Sequence, residues 1–166
     1  MAGVELFGRH DELARICEFL DEVRRGGGVR LIRGDPGVGK SALMAAAAEL
    51  ASASGMRPLR ASGSEFEAHV SYSCLNQLLL PAHATLDLLP PGPREALTVA
   101  LGFGAGAPPD VLLVCNAALL LVTRLAADEP VVLVVDDVHW IDPASRDVLR
   151  YVASNLRRIP ILLVVA

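Results

Sequence analysis

The feature that most constrains the fold is the stretch Gly34-Asp35-Pro36-Gly37-Val38-Gly39-Lys40-Ser41, which fits the pattern glycine, four free positions, glycine, lysine and serine. An apolar run at 29–32 precedes it, and a helix-forming run at 41–50 follows it. A strand, a glycine-rich loop and a helix in this order form a phosphate-binding loop, or P-loop. The chain is therefore expected to fold as an α/β domain built on a parallel sheet.

Each residue type in this loop has a chemical reason. Gly34, Gly37 and Gly39 carry no side chain that would block a phosphate, so the backbone N–H groups can turn inward. Lys40, at the start of the helix, is expected to reach the β- and γ-phosphates of a nucleotide, and the Ser41 hydroxyl to bind Mg²⁺. Lys40 is the only lysine among fifteen basic residues, and a compact ammonium suits such a cradle better than a guanidinium. All eight residues of the loop are predicted to bind nucleotide.

A second motif follows the β-branched run Val131 to Val135, which ends in Asp136 and Asp137. A hydrophobic strand that ends in acids is the usual second half of a P-loop NTPase site. Asp136 is predicted to hold Mg²⁺, and Asp137 occupies the position of the general base. Because aspartate is one methylene shorter than glutamate, slow hydrolysis is expected. A transition-metal cluster of His139 and Asp142 with the two acids is not favoured, because a nucleotide-bound Mg²⁺ already explains the acids and prefers oxygen ligands. Trp140 is interpreted as a packing residue beside the site.

Composition limits the cellular compartment and the binding partners that are expected for this chain. The chain has 166 residues, enough for one domain, and a net charge of −4, so no direct contact with nucleic acid is expected. The start of the sequence lacks a secretion signal, which predicts a cytoplasmic protein. The longest apolar run, 111–122, is too short to span a bilayer and predicts a buried helix without membrane contact. Cys17, Cys74 and Cys115 are predicted to be reduced core thiols.

The remaining pattern predicts the other elements of the fold. Residues 62–109, which contain two candidate helices separated by prolines, are interpreted as a helical insertion. Asp142 and Pro143 predict a helix start, with aspartate as the N-cap. The predicted strands are 29–33, 58–61, 131–135 and 161–165, and the predicted helices are 11–25, 41–54, 72–80, 94–101, 110–127 and one that begins at 142–143.

With both motifs in view, the chain resembles the nucleotide-binding module of the STAND class of AAA+-related NTPases, most closely that of large ATP-binding LuxR-type transcription regulators. Residues 6–13 look like the family's opening Gly-Arg-x-x-Glu-Leu motif, which lies near the adenine, so Gly8 and Arg9 are assigned to nucleotide binding. Residues 135–142 are similar to its extended Walker B motif, and 65–80 to the segment after its second strand. The resemblance implies ATP and Mg²⁺ as cofactors and an ASCE-type, three-layer P-loop NTPase fold, for which we predict the strand order 2-3-1-4.

The resemblance also carries expectations about the whole protein. Residues 1–166 are expected to be one incomplete N-terminal ATP-binding domain, truncated before its last strand and lid, and DNA would be bound only by an absent C-terminal helix-turn-helix. The P-loop strand would then form an unprotected sheet edge, which predicts self-association. The expected function is an ATP-dependent switch with slow hydrolysis. Three alternatives remain open: an AAA+ ATPase of the origin-recognition type, the same module attached to a signalling kinase or cyclase, and a degenerate module that binds no nucleotide.

Overall fold

A computed structural model describes residues 9–35, 37–156 and 159–166. Within these residues the chain forms one parallel sheet with helices on both faces. The strands are β1 (Gly28–Leu31), β2 (Arg57–Ser62), β3 (Val131–Asp136) and β4 (Ile161–Val165). The helices are α1 (His10–Val23), α2 (Lys40–Ala53), α3 (Ser73–Leu79), α4 (Pro91–Ala100), α5 (Val111–Asp128) and α6 (Pro143–Ser154), with 3-10 segments at Leu80–Leu88 and Val138–Trp140.

The predicted three-layer α/β architecture is confirmed by two separate cores. Val132 and Val134 of β3 belong to the smaller core, which is shared with α1 and α2. Val131, Leu133 and Val135 belong to the larger core, which is shared with α3, α4, α5 and α6. Because successive side chains of a strand point to opposite faces, β3 is apolar throughout and is covered on both sides.

The predicted strand order 2-3-1-4 is wrong, because the strands lie in the order β1-β4-β3-β2. β4 pairs with β1 on one side and with β3 on the other. Composition explains the central position of β4: residues 161–164 are all apolar and buried, whereas β1 alternates between half-buried and exposed positions and carries Arg30. In the described part of the chain, the P-loop strand β1 pairs only with β4 and therefore lies at the edge of the sheet. The predicted edge position of this strand is thus confirmed for these residues.

The segment between β2 and α5 packs into the larger core. Leu75 of α3, Leu86 of the 3-10 segment and Leu97 of α4 are all at most 4% exposed. α5 is long and apolar enough to cross a membrane by composition, but Leu121 and Leu125 are at most 1% exposed and lie in the larger core. α5 is thus a core helix with one buried face, as predicted, although its first turn is exposed.

Two of the three cysteines behave as predicted. Cys74 and Cys115 are buried free thiols, whereas Cys17 is exposed, so its prediction as a core thiol is wrong. Cys17 lies on the solvent side of α1, whose buried stripe is formed by Ile16, Leu20 and Val23.

Candidate functional site

The glycines of the P-loop occupy positions that other residues would fill only with strain. Gly37 and Gly39 have φ angles of 81° and 85°, in the left-handed region. A Cβ atom on Gly34 would lie 2.9 Å from the Cγ2 atom of Val38. Gly39 is also the N-cap of α2, so the loop ends where the free N–H groups of that helix begin. The backbone therefore has the tight turn that the sequence pattern predicts.

Lys40 folds back over the loop that precedes it. Its Nζ atom donates hydrogen bonds to the carbonyl oxygens of Gly34 and Asp35, both at 3.1 Å. The Arg9 guanidinium, at the start of α1, donates to the carbonyl oxygen of Val38 and pairs with Glu12 at 3.1 Å. The side chains of Arg9 and Lys40, both predicted to bind nucleotide, thus contact the same loop. Gly8 and Pro36, which were assigned to the same role, lie outside the described residues.

A cleft of about 740 Å³ joins the P-loop to the turn after β3. Its volume lies within the range of about 300–1,000 Å³ that small-molecule sites occupy. Lys40 and Ser41 face this cleft from the P-loop side, and Asp137 faces it from the β3 side. The other lining residues are Leu31, Ile32, Arg33, Gly34, Gly37, Gly39, Val138, His139 and Ala166.

The predicted metal ligands Ser41 and Asp136 line one common cavity of about 290 Å³ beside the cleft. Arg60 and Gln77 line it from β2 and α3. The half-buried Asp136 carboxylate accepts a hydrogen bond of 2.9 Å from the N–H of Asp137. A hydroxyl and a carboxylate are oxygen donors of the kind that Mg²⁺ prefers, so the residues present fit this ion.

The turn after β3 holds Asp137 in an unusual conformation. Its φ and ψ angles are 50° and 49°, in the left-handed region that residues with a side chain seldom adopt. The N–H of Trp140 donates to the Asp137 carbonyl at 2.9 Å, and the N–H of Val138 donates to the carbonyl of Ala166 at 3.0 Å. Trp140 stacks obliquely on His139 with 5.1 Å between ring centroids, but it is 37% exposed and so packs only in part.

Asp142 is the N-cap of α6, as predicted, and its carboxylate accepts from the N–H of Ser145 at 2.9 Å. The same carboxylate also accepts hydrogen bonds from the backbone N–H groups of Tyr72 and Cys74, which was not predicted from the sequence.

Burial raises the pKa of the Cys74 thiol to about 12, and the nearby Asp142 and Glu67 carboxylates add to this effect. Cys74 therefore stays protonated at neutral pH and is no candidate nucleophile.

Comparisons with known proteins agree with this geometry. The family model of the AAA ATPase domain matches residues 5–165. An uncharacterized protein of Rhizobium meliloti (strain 1021) is 32% identical over 200 residues, covering 98% of this chain and 18% of that protein. The solved structure of the Aeropyrum pernix ORC2 protein in ADPNP–ADP complexes matches 98% of this chain and 41% of its own with a TM-score of 0.50. At 19% identity, this last likeness shows the fold alone. The chain thus spans less than half the length of either protein.

Proposed function

Because the chain belongs to the AAA ATPase domain family and has a P-loop NTPase fold, we propose that it binds ATP with Mg²⁺ in the cleft between the P-loop and the β3 turn. The observation that carries this proposal is that Lys40 and Ser41 share one cleft with Asp137, almost a hundred residues further along the chain. A lysine, a serine and an aspartate beside a glycine-rich loop at a helix N-terminus suit a triphosphate better than a neutral ligand.

In this proposal each side chain has a distinct role. The Lys40 ammonium leaves the carbonyls of Gly34 and Asp35 and donates instead to phosphate oxygens, which are stronger acceptors because they are charged. Ser41 and Asp136 would hold the metal ion, which would neutralise part of the charge on the phosphate oxygens. Arg9, fixed to the carbonyl of Val38, lies where α1 meets the loop and is proposed, with Gly8, to border the adenine.

We propose that Asp137 acts as the general base and that it does so slowly. Asp137 lines the cleft, but its short side chain reaches less far toward an attacking water than glutamate would. Slow hydrolysis suits a switch, in which the ATP-bound state must persist long enough to be read by another part of the protein. We assign the module to LuxR-type cytoplasmic transcription regulators, with DNA bound outside these residues. The stretches at 6–13 and 135–142 support that assignment.

Replacement of Lys40 by Ala tests the binding site directly. A hydrogen bond to a charged group contributes about 1.5–3 kcal/mol, so ATP affinity should fall by roughly ten- to a hundredfold. Isothermal titration calorimetry with ATP and Mg²⁺ would measure this. The matched control is Arg124→Ala, which removes a positive charge from an exposed position on α5 and should leave the affinity unchanged. Undiminished affinity in folded Lys40→Ala would refute the assignment.

We also propose that the chain self-associates through the edge of β1. Val29 and Leu31 on this strand are 40% and 49% exposed, and an apolar groove of about 290 Å³ runs between α1 and β1. Exposed edge strands pair readily with a second copy, and an edge lysine prevents such pairing. Leu31→Lys should therefore shift the chain toward monomer in sedimentation velocity, while Leu88→Lys, at a residue 61% exposed elsewhere, should not. A wild-type chain that stays monomeric at high concentration would contradict the proposal.

A further inference from the structure

One buried carboxylate joins the starts of two helices that are far apart in sequence. Asp142 is 2% exposed, and its Oδ1 atom accepts from the N–H groups of Ser145 at 2.9 Å and Tyr72 at 2.8 Å. Its Oδ2 atom accepts from the N–H of Cys74 at 3.2 Å. The hydroxyl of Ser145, which is fully buried, accepts in turn from the N–H of Leu75 at 2.9 Å. Two side chains of α6 thus satisfy three N–H groups at the start of α3.

This arrangement exceeds the needs of a helix cap. An N-cap aspartate satisfies donors of its own helix and stabilises the start of that helix. Asp110 does only that at the start of α5, where it accepts from Leu112 and Leu113 at an exposed position. Burying the charge of Asp142 is costly unless several donors compensate, so its carboxylate holds the two helix starts in one fixed relation.

The fixed point lies at the end of the turn that carries Asp137. The other end of that turn is attached to the sheet, where the N–H of Val138 donates to the carbonyl of Ala166 at 3.0 Å. Between the two, the turn lies directly on Gly63: a Cβ atom there would meet the Asp137 carbonyl oxygen at 2.3 Å and the Trp140 carbonyl carbon at 2.9 Å. A residue with a side chain is strained in the left-handed conformation and persists there only where its surroundings enforce it. These contacts supply that enforcement.

We propose that Asp142 is a positioning residue for hydrolysis: by binding the start of α3, it holds the 137–141 turn so that Asp137 faces the cleft. The inference rests on the proposed ATPase function. The segment between β2 and α3, which ends at Tyr72, is then a second structural support for Asp137, because its Gly63 packs against the turn. Asp142 does not line the cleft, so its loss should slow turnover without weakening the binding of ATP.

The test compares Asp142→Asn, Asp142→Ala and Ser145→Ala with the wild-type chain. Asparagine keeps one carbonyl oxygen but turns an N–H₂ group toward one of the donors, so it removes part of the network. We expect kcat to fall by about ten- to a hundredfold in Asp142→Asn and further in Asp142→Ala, because misplacement by about 1 Å has effects of this size. Ser145→Ala should show a smaller fall. The dissociation constant for ATP, measured by calorimetry, should stay within about threefold.

Trp140 gives a readout that does not depend on catalysis. It is the only tryptophan in the sequence and lies within the turn, so its fluorescence reports the position of the turn. We expect a red-shifted emission maximum in the Asp142 variants and none in Asp110→Asn, the matched N-cap control on α5. If Asp142→Asn does not fold, kcat and Trp140 emission measured on Ser145→Ala test the inference instead. A folded variant with wild-type kcat and wild-type emission would overturn the inference, and so would kcat and affinity falling together. A wild-type chain that fails to bind ATP would refute the proposed function instead, and the emission spectra would still test the positioning.

Discussion

Replacing Gly63 with Ala should destabilise the fold at the point where β2 meets the candidate site. A Cβ atom at this position would lie 2.3 Å from the carbonyl oxygen of Asp137, 2.9 Å from the carbonyl carbon of Trp140 and 3.0 Å from the backbone nitrogen of Ile141. All three are main-chain atoms, so no side chain can rotate away. The N–H of Gly63 also donates to the carbonyl of Asp136 at 2.9 Å, so relief of the overlap would break a hydrogen bond.

The cost of this overlap belongs at the upper end of the range for overpacking, about 3 kcal/mol. For a domain of this size, each kcal/mol lowers the melting temperature by about 2–4 °C, which predicts a fall of roughly 6–12 °C. Thermal unfolding followed by circular dichroism and by Trp140 fluorescence would measure it. The matched control is Gly26→Ala between α1 and β1, where φ is not positive and an added Cβ atom meets nothing beyond its chain neighbours within 4 Å. Wild-type stability in Gly63→Ala would refute the close packing of the turn on β2.

Three further outcomes follow from the described contacts. Asp137→Asn should lower kcat by roughly a hundredfold while ATP affinity in calorimetry changes little, and unchanged turnover would remove Asp137 as the base. Leu97→Ala, at a residue with no exposure in the larger core, should lower the free energy of unfolding by about 2–5 kcal/mol in urea titration, whereas Leu88→Ala should lower it by much less. Because burial raises the pKa of the Cys74 thiol from 9.0 to about 12, the folded state keeps a proton that the unfolded state loses, so stability should decline as the pH rises from 9 toward 12. The decline is at most about 1.4 kcal/mol per pH unit, and Cys74→Ala should reduce it.

The sequence predicted those parts of the molecule that depend on local chemistry. Gly37 and Gly39 have the positive φ angles that a phosphate-binding turn needs, and Asp142 caps α6 as its position before Pro143 indicates. Each of these features is determined by residues that are close together in the sequence. The two additional donors to Asp142, at Tyr72 and Cys74, lie about seventy residues away, and nothing in the pattern of either segment indicates the contact. Cys17 was predicted to be buried because its neighbour Ile16 belongs to the buried stripe of α1, whereas Cys17 itself faces solvent.

The strand order was also predicted wrongly, and the correct order explains the shape of the site. Adjacent parallel strands lie about 4.8 Å apart, so two strands with one between them are separated by about 9.6 Å. In the predicted order the P-loop strand would adjoin β3, and the acids would lie one spacing from the loop. In the observed order β4 lies between them, and its carboxyl end at Ala166 lines the cleft between Lys40 and Asp137. In the proposed site, this separation of one strand accommodates phosphate groups between Lys40 and Asp137. The apolar, fully covered β4 is therefore as much a requirement of the proposed site as the P-loop itself.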